Sequence, residues 1–369
     1  MVESVRVGVV GCGNISQAYF EGMARFPLLR VLACADLDMS RAEACARRWG
    51  VAALSCERLL EHPEIDIVVN LTVPSAHVEV SRAALRRAKH VYSEKPLAAS
   101  LEEGLGLVAL AKERGVRLGV APDTFLGGGL QTCRKCIDDG WVGEPIAVTA
   151  CMMSAGWESW HPHPHFYYQV GGGPMFDMGP YYLTALVSLI GPIRRVTGTA
   201  RITFAERVIA SEPHRGERIE VETPTHVAGV IDFANGAIGT LVTSFDIMGG
   251  TSDLPSIEIY GSEGTLRVPD PNQFGGPVRL RRAGVNEWQE LSLTHGFVEQ
   301  SRGLGVADMA YAIRSGRPHR ASGELAAHVL EAMQGFHVAS AQSRHHVLVS
   351  RCQRPAALPT GLPADALDA

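Results

Sequence analysis

The chain has 369 residues, 46% of them apolar and 20% charged, and a net charge of −5. That length exceeds what one core usually serves and predicts two domains of ordinary soluble composition. The weak acidity argues against a nucleic-acid partner, no apolar run reaches a membrane span, and the start "MVESVRVGVV" lacks the basic region and apolar core of an export signal. A cytoplasmic protein is expected.

Val5–Val10, "VRVGVV", is a short β-branched run that predicts a strand buried on both faces. "GCGNIS" follows it. Gly11 and Gly13 match the first two glycines of a dinucleotide fingerprint, and Ser16 stands where the third would be. Gly11 would make the tight turn, and a bare Gly13 would let a pyrophosphate approach the backbone. A helix over 14–25 would then aim its positive N-terminus at that anion. The next strand, "LRVLACAD", ends at Asp36, where a carboxylate can accept from both ribose hydroxyls and repel a 2′-phosphate. No Arg or Ser directly beside Asp36 would receive a phosphate, so NAD is favoured over NADP.

The alternation continues. A helix over 42–50 closes at Gly50, and "IDIVVNLTVP" is a strand. A helix opens at Ser75 as its cap, "HVYSEKPLA" is a strand, a helix covers 101–114, and "VRLGVAPD" is a strand. This predicts a doubly wound parallel sheet, an α/β Rossmann domain over 1–123. Ligands of such sheets sit at the carboxyl ends of the strands, where Gly11, Asp36, Thr72, Lys95 and Asp123 fall.

Beyond 124 the periodicity changes. "CRKC" lacks a second pair to complete a zinc site and reads as two cysteines on a helix, so no metal is expected. The other cysteines toward the N-terminus, Cys12, Cys34, Cys45 and Cys56, read as small apolar core residues. "WESWHPHPHFYYQ" is an extended aromatic segment in which Trp160 and His165 are candidate substrate contacts. "GGGPMFDMGPYYLTALVSLIGP" predicts a loop and a helix from Asp177 to Ile190, with Pro180 in its first turn and Asp177 and Tyr181 on one face. Around Asn235-Gly236, "HVAGVIDFANGAIGTLVTSFDI" carries a two-residue hairpin signal. Two more hairpins follow, then a long helix after Glu324. The predicted second domain, 124–352, is α+β with a large, mostly antiparallel sheet. The tail, 353–369, is expected to lie loosely on the surface.

At "GVVGCGNIS", "SEKPLA" and "GGGPMFDMGPYY" the chain resembles the Gfo/Idh/MocA oxidoreductases. The resemblance implies an N-terminal dinucleotide domain and a second domain whose sheet carries helices on one face and commonly meets another subunit on the other. It implies that Lys95 sits by the nicotinamide and assists proton transfer at a substrate hydroxyl. From first principles, a lysine between a cationic ring and an apolar pocket would lose proton affinity. Most relatives carry His where this chain has Tyr181. The resemblance therefore points to a Lys95–Tyr181 pair, with Asp177 orienting the lysine or a sugar hydroxyl. Candidate dinucleotide contacts are Gly11, Gly13, Asn14, Ile15, Asp36, Leu37, Thr72, Pro74, His77, Glu94, Lys95 and Asp123.

The expected activity is an NAD-dependent oxidoreductase acting on a secondary alcohol or ketone of a sugar, cyclitol or derivative. The alternatives are an NAD-assisted glycosidase of the same fold and a non-catalytic NAD-binding regulator. The expected assembly is a homodimer or homotetramer.

Overall fold

The computed structural model describes residues 4–249, 254 and 256–368. The first half lays down strands β1 (Val5–Val10), β2 (Leu29–Ala35), β3 (Ala52–Ala53), β4 (Ile67–Asn70), β5 (His90–Ser93) and β6 (Leu118–Val120). Between them run helices α1 (Ser16–Met23), α2 (Met39–Trp49), α3 (Cys56–Glu61), α4 (His77–Arg86) and α5 (Leu101–Glu113). The strands form a six-stranded sheet in the order β3-β2-β1-β4-β5-β6, every pair parallel. Val7, Val9, Ile67, Val68, Val69 and Val91 are wholly buried. That is why these strands read as continuous apolar runs rather than alternating ones.

Local signals explain most boundaries. Gly50 ends α2 in the left-handed conformation, which costs a residue without Cβ little. Ser75 does not cap α4. A 3-10 turn, Pro74–Ala76, precedes that helix, and no side chain caps it. Proline at the start of that turn gives the chain a different entry from the one the serine predicted.

The second half begins with α6 (Gly128–Asp138), β7 (Pro145–Met153), α7 (Gly173–Leu189) and β8 (Ile193–Arg201). A small ribbon of β9 (Glu206–Val208) and β10 (Arg218–Glu220) follows. Next come β11 (His226–Phe233), β12 (Ile238–Ser244), β13 (Ile257–Gly261), β14 (Gly264–Val268), β15 (Val278–Arg282) and β16 (Gln289–Leu291). Helices α8 (Leu304–Ser315) and α9 (Gly323–Gln342) and strand β17 (His346–Val347) complete it. The nine-stranded sheet runs β16-β15-β14-β13-β7-β12-β11-β8-β17, antiparallel except where β7 meets β12.

Helices α6, α7 and α9 pack on one face of this sheet, and α9 also meets α5 and β6, tying the two halves together. On the other face Thr149 pairs across to Thr240, and Thr240 to Val230. Two threonines and a valine share that row, so the uncovered face mixes polar and apolar side chains. The turn at Asn235-Gly236 is also longer than two residues. Asp232 and Ile238 are the last pair, and Gly236 alone has a positive φ, +96°. Asn235 instead spends its side-chain oxygen on the Ala237 N–H.

Two further expectations change. Helix α7 starts at Gly173, with Pro174 in its first turn, so Pro180 lies inside the helix. The tail does not lie loosely. Arg134 and Arg320 donate to the carbonyls of Pro355 and Ala357, and Leu358 and Leu367 are buried. Guanidinium groups from the core supply the partners that secondary structure does not. Among the described residues, no helix is long and apolar enough to cross a membrane.

Candidate active site

The dinucleotide end is built from backbone. Gly11 has φ +100°, and a Cβ there would stand 2.6 Å from the Leu71 carbonyl, so only glycine makes this turn. A Cβ on Gly13 would meet nothing within 4 Å, which leaves open space above the loop. Ser16 closes the loop by donating to the Gly13 carbonyl at 2.6 Å. No side chain caps α1, whose N-terminus carries Asn14 and Ile15 and is free to receive an anion. Asp36 accepts from the Cys12 N–H at 2.8 Å and the Asp38 N–H at 3.0 Å, one on each oxygen, which fixes the carboxylate and leaves lone pairs for a diol. Leu37 beside it is 98% exposed. Thr72 is held by Asn70, and Pro74 lies exposed at the same strand edge. These residues fit a dinucleotide.

His77 and Asp123 are placed differently from expectation. The His77 ring is buried, with one nitrogen 2.7 Å from the Pro96 carbonyl and the other 2.9 Å from the Thr72 carbonyl. It clips two loops together. Asp123 is fully buried and accepts from the N–H groups of Gly303 and Gly305, at the start of α8. Oδ2 is spent on a helix N-terminus, where the unpaired N–H groups need an acceptor, while Oδ1 is buried without a partner among the described residues. Burial nevertheless lifts its pKa, against the pull of Arg302.

The reacting end is built from side chains of distant segments. Lys95 leaves β5 through a loop in which the Glu94 carboxylate accepts from the Lys95 N–H (3.0 Å) and from the Tyr19 hydroxyl (2.8 Å). The Lys95 Nζ reaches α7 and donates to Asp177 Oδ1 at 2.9 Å and to the Asp177 carbonyl at 2.8 Å. The other Asp177 oxygen accepts from Trp157 Nε1 at 2.8 Å.

Tyr181, one turn along, lies under the Lys95 ammonium, 5.3 Å from the ring centroid. Its hydroxyl receives Arg302 Nη2 at 3.3 Å. Burial works against the charge on Lys95, but Asp177, followed by Tyr181 and Glu94, outweighs it and holds the ammonium above the ordinary lysine range. In the chain by itself the carboxylate in contact dominates, whereas the expected loss of proton affinity is tied to a cationic ring beside the lysine. Arg302 is held charged in the same way, burial opposing and Tyr181, Glu94 and Asp123 prevailing.

Several members of this cluster carried no usable sequence signal. Arg302 lies far from Tyr181 along the chain, in "QSRGLG", and its Nε and Nη1 are buried without a partner among the described residues. Trp157 stood out only as one aromatic among many. Its ring packs near Trp160 (5.7 Å) and Tyr167 (6.4 Å), which brings Trp160 to the site's border, 60% exposed. Burial and then Asp177 push the Tyr167 hydroxyl upward, so it belongs to the same electrostatic cluster. This aromatic segment is anchored by Arg207, which bonds Glu158 at 2.6 Å and Asp246 at 3.2 Å. His165 faces outward to Glu217 at 3.7 Å and to His214. The "CRKC" cysteines lie buried on α6, with Cys136 pushed up to about 11 by burial.

Family models match both halves: an oxidoreductase family with an NAD-binding Rossmann fold over residues 5–121, and a GFO/IDH/MocA C-terminal domain over 130–267. The chain belongs to the Gfo/Idh/MocA oxidoreductases. Within this family it is 30% identical to a 1,5-anhydro-D-fructose reductase of Ensifer adhaerens, over 75% of this chain and 80% of that one. It is 28% identical to a dTDP-3,4-didehydro-2,6-dideoxy-alpha-D-glucose 3-reductase of Saccharopolyspora spinosa, over 86% and 93% of the two chains. Its fold matches that of a levoglucosan dehydrogenase solved with NADH and L-sorbose (TM-score 0.81, 20% identity, 94% and 99% covered). As a Gfo/Idh/MocA oxidoreductase it has the dinucleotide loop and the Lys95–Asp177–Tyr181 cluster on the fold these relatives share.

Proposed function

We propose that this oxidoreductase interconverts a secondary alcohol and a ketone on a sugar, cyclitol or related derivative, with NAD as its dinucleotide. The observation that carries the reading is the meeting of Lys95 with Asp177 above Tyr181. Bound nicotinamide would supply the hydride chemistry, held by the Gly11–Gly13 loop, Asn14, Ile15, Asp36, Leu37, Thr72 and Pro74. The chain's own residues orient the substrate and move its proton.

Lys95 is kept charged by Asp177, so its part is to donate a hydrogen bond to the substrate oxygen rather than to take a proton from it. The Tyr181 oxygen, as phenolate, is then the acceptor of that proton, and in the reverse direction the phenol returns it. The negative charge it carries before the transfer is met by Lys95 on one side and Arg302 on the other, in a cluster fixed before reaction. Asp177 positions Lys95 and is itself positioned by Trp157. The aromatic border at Trp157 and Trp160 suits the C–H faces of a pyranose or cyclitol. The names of the relatives support a sugar-like substrate. Asp36 supports NAD over NADP, since the neighbouring Arg41 already pairs with Asp38 (3.6 Å) and a carboxylate repels a 2′-phosphate. The uncovered face of the large sheet, with exposed Val230 and Ile238, supports a homodimer or homotetramer paired there.

The test is a panel of polyols, aldoses and keto-sugars assayed with NAD(H) and NADP(H), for the wild type and Lys95→Ala. We expect net NADH formation or consumption, and a loss of turnover of about 10²-fold or more in Lys95→Ala with NADH binding retained. Near wild-type turnover in a folded Lys95→Ala protein would overturn the assignment. A clear NADP preference would overturn the role of Asp36.

A further inference from the structure

Beneath the dinucleotide loop lies a cluster of sulfur atoms that the proposed reaction does not use. Cys12 stands between Gly11 and Gly13, just beyond the end of β1. Cys34 is on β2, beside Val9 in the parallel register, and is fully buried. Its thiol lies against α2, 3.4 Å from the Ala42 carbonyl. Cys45 follows on the same helix, one turn further along. Sequence analysis places these as separate small core residues, but the fold brings their sulfur atoms together, all within 4.8 Å of one another. Cys12 and Cys45 are only partly buried, so the cluster is reachable from solvent.

We propose that Cys12, Cys34 and Cys45 form a three-thiolate site for a soft, thiophilic cation such as monovalent copper, zinc or cadmium. Thiolates select such ions over magnesium, calcium or manganese, and three sulfur donors without a carboxylate or imidazole are a soft set. The geometry is close to what binding needs. Metal–sulfur bonds of about 2.3 Å place neighbouring sulfurs about 4 Å apart. The required closure is therefore on the order of 1 Å or less. Cys34 is fixed in the sheet and Cys45 on a packed helix, so Cys12 is the member with freedom to move.

That movement has a consequence for the neighbouring site, and this part rests on the dinucleotide reading above. The Cys12 N–H is the group that holds Asp36 Oδ2. Drawing Cys12 toward the other sulfurs shifts the Gly11–Gly13 turn and loosens that bond. An occupied thiolate site therefore opposes dinucleotide binding, and by linkage bound dinucleotide opposes the metal.

The experiment titrates the reduced full-length protein with Cd²⁺, following the ultraviolet thiolate-to-cadmium charge-transfer band. NADH binding is followed separately by fluorescence. We expect one equivalent of Cd²⁺ to bind with that band. Cys45→Ser should weaken it by more than about tenfold, and a Cys133→Ser/Cys136→Ser protein should retain it. NADH should bind more weakly to cadmium-loaded wild type than to the free protein, and equally to Cys45→Ser with and without Cd²⁺. No band, or a band untouched by Cys45→Ser, would overturn the site. Should Cys45→Ser fail to fold, Cys12→Ser on the partly exposed loop takes its place in the same comparison. A cadmium-loaded wild type with unchanged NADH affinity would overturn the coupling alone. A protein that binds no NADH in either state would count against the dinucleotide reading, leaving the cadmium titration to judge the metal site.

Discussion

The two ends of the candidate active site are made in opposite ways. At the dinucleotide end a single short segment, residues 11–16, supplies a turn, an uncapped helix and open space, and the ends of two neighbouring strands add Asp36, Leu37, Thr72 and Pro74. At the reacting end Lys95, Trp157, Asp177 with Tyr181, and Arg302 come from four separate stretches and are locked by mutual contacts. The first end uses backbone and tolerates exposure. The second concentrates charge in a partly buried place, where each ion must find its partner. The difference teaches where substitutions should hurt. Changes at the first end should weaken binding in steps, whereas changes at the second should disable the chemistry.

Tyr181→Phe is the sharpest way to break this comparison. It keeps the ring that packs under Lys95 and removes only the hydroxyl. Turnover should fall by roughly 10²–10⁴-fold, while stability changes by about 1 kcal/mol, the worth of one hydrogen bond. Measured beside a thermal melt, unchanged turnover and Michaelis constant would reduce Tyr181 to packing. A raised Michaelis constant alone would make it a substrate-holding group. Asp36→Ala should act next most strongly and on a different quantity. Losing a charged hydrogen-bonding group costs about 1.5–3 kcal/mol. We therefore expect a rise in the NADH dissociation constant of roughly 10–100-fold, with turnover at saturating cofactor little changed. A collapse of saturated turnover would erase the contrast between the ends.

Asp123→Ala sharpens the boundary between site and scaffold. If the carboxylate serves α8, as its bonds to Gly303 and Gly305 indicate, the variant should lose about 1–3 kcal/mol of stability and keep its NADH affinity. Chemical denaturation and fluorescence titration read the two separately, and weakened NADH binding in a stable variant would return Asp123 to the cofactor.

The smallest effect concerns pH. Burial, then the Arg117 charge, depress the pKa of His90 to about 4 from an ordinary 6.5, and its ring accepts from the Arg117 N–H. The unfolded chain therefore binds more protons than the folded one between those values. Stability is present above the window and is lost as pH falls through it. His161, His295, His319, His328 and His337 are shifted the same way by burial. Melting temperature should drop from pH 7 to pH 5, and His90→Gln should shrink the drop slightly. A melting temperature higher at pH 5 would contradict the sign.

The same contrast explains what the sequence could reveal. The parallel sheet was legible because its buried strands carry unbroken apolar runs, and the dinucleotide loop because its requirements fall within a few consecutive residues. Asp177 and Tyr181 were legible as a pair one helical turn apart, but their partners were not. Nothing local marks Arg302 or Trp157 as neighbours of α7, since those contacts arise only when separate segments of the second half fold against that helix. The ion pair of Lys95 is illegible for the same reason: its carboxylate is reached across the fold. Asp123 and His77 lie at strand and helix ends that look like ligand positions, and their buried bonds to backbone carry no local signal in the sequence.

The C-terminal tail carries a consequence for anyone who trims or extends this chain. Residues 354–358 form no helix or strand, yet Arg134, Arg320 and Gln131 reach out of the folded body to bond them, and Arg354 reaches back to the Leu189 carbonyl. Shortening the chain at residue 353 would take away the Pro355, Ala356 and Ala357 carbonyls that the buried Arg134 and Arg320 bond and would uncover the site that Leu358 fills. In hydrogen exchange, the Leu358 amide, bonded to Gln131, should be protected like one in a strand. The tail works as a strap over the back of the molecule, fastened by side chains where a strand would be fastened by its neighbours.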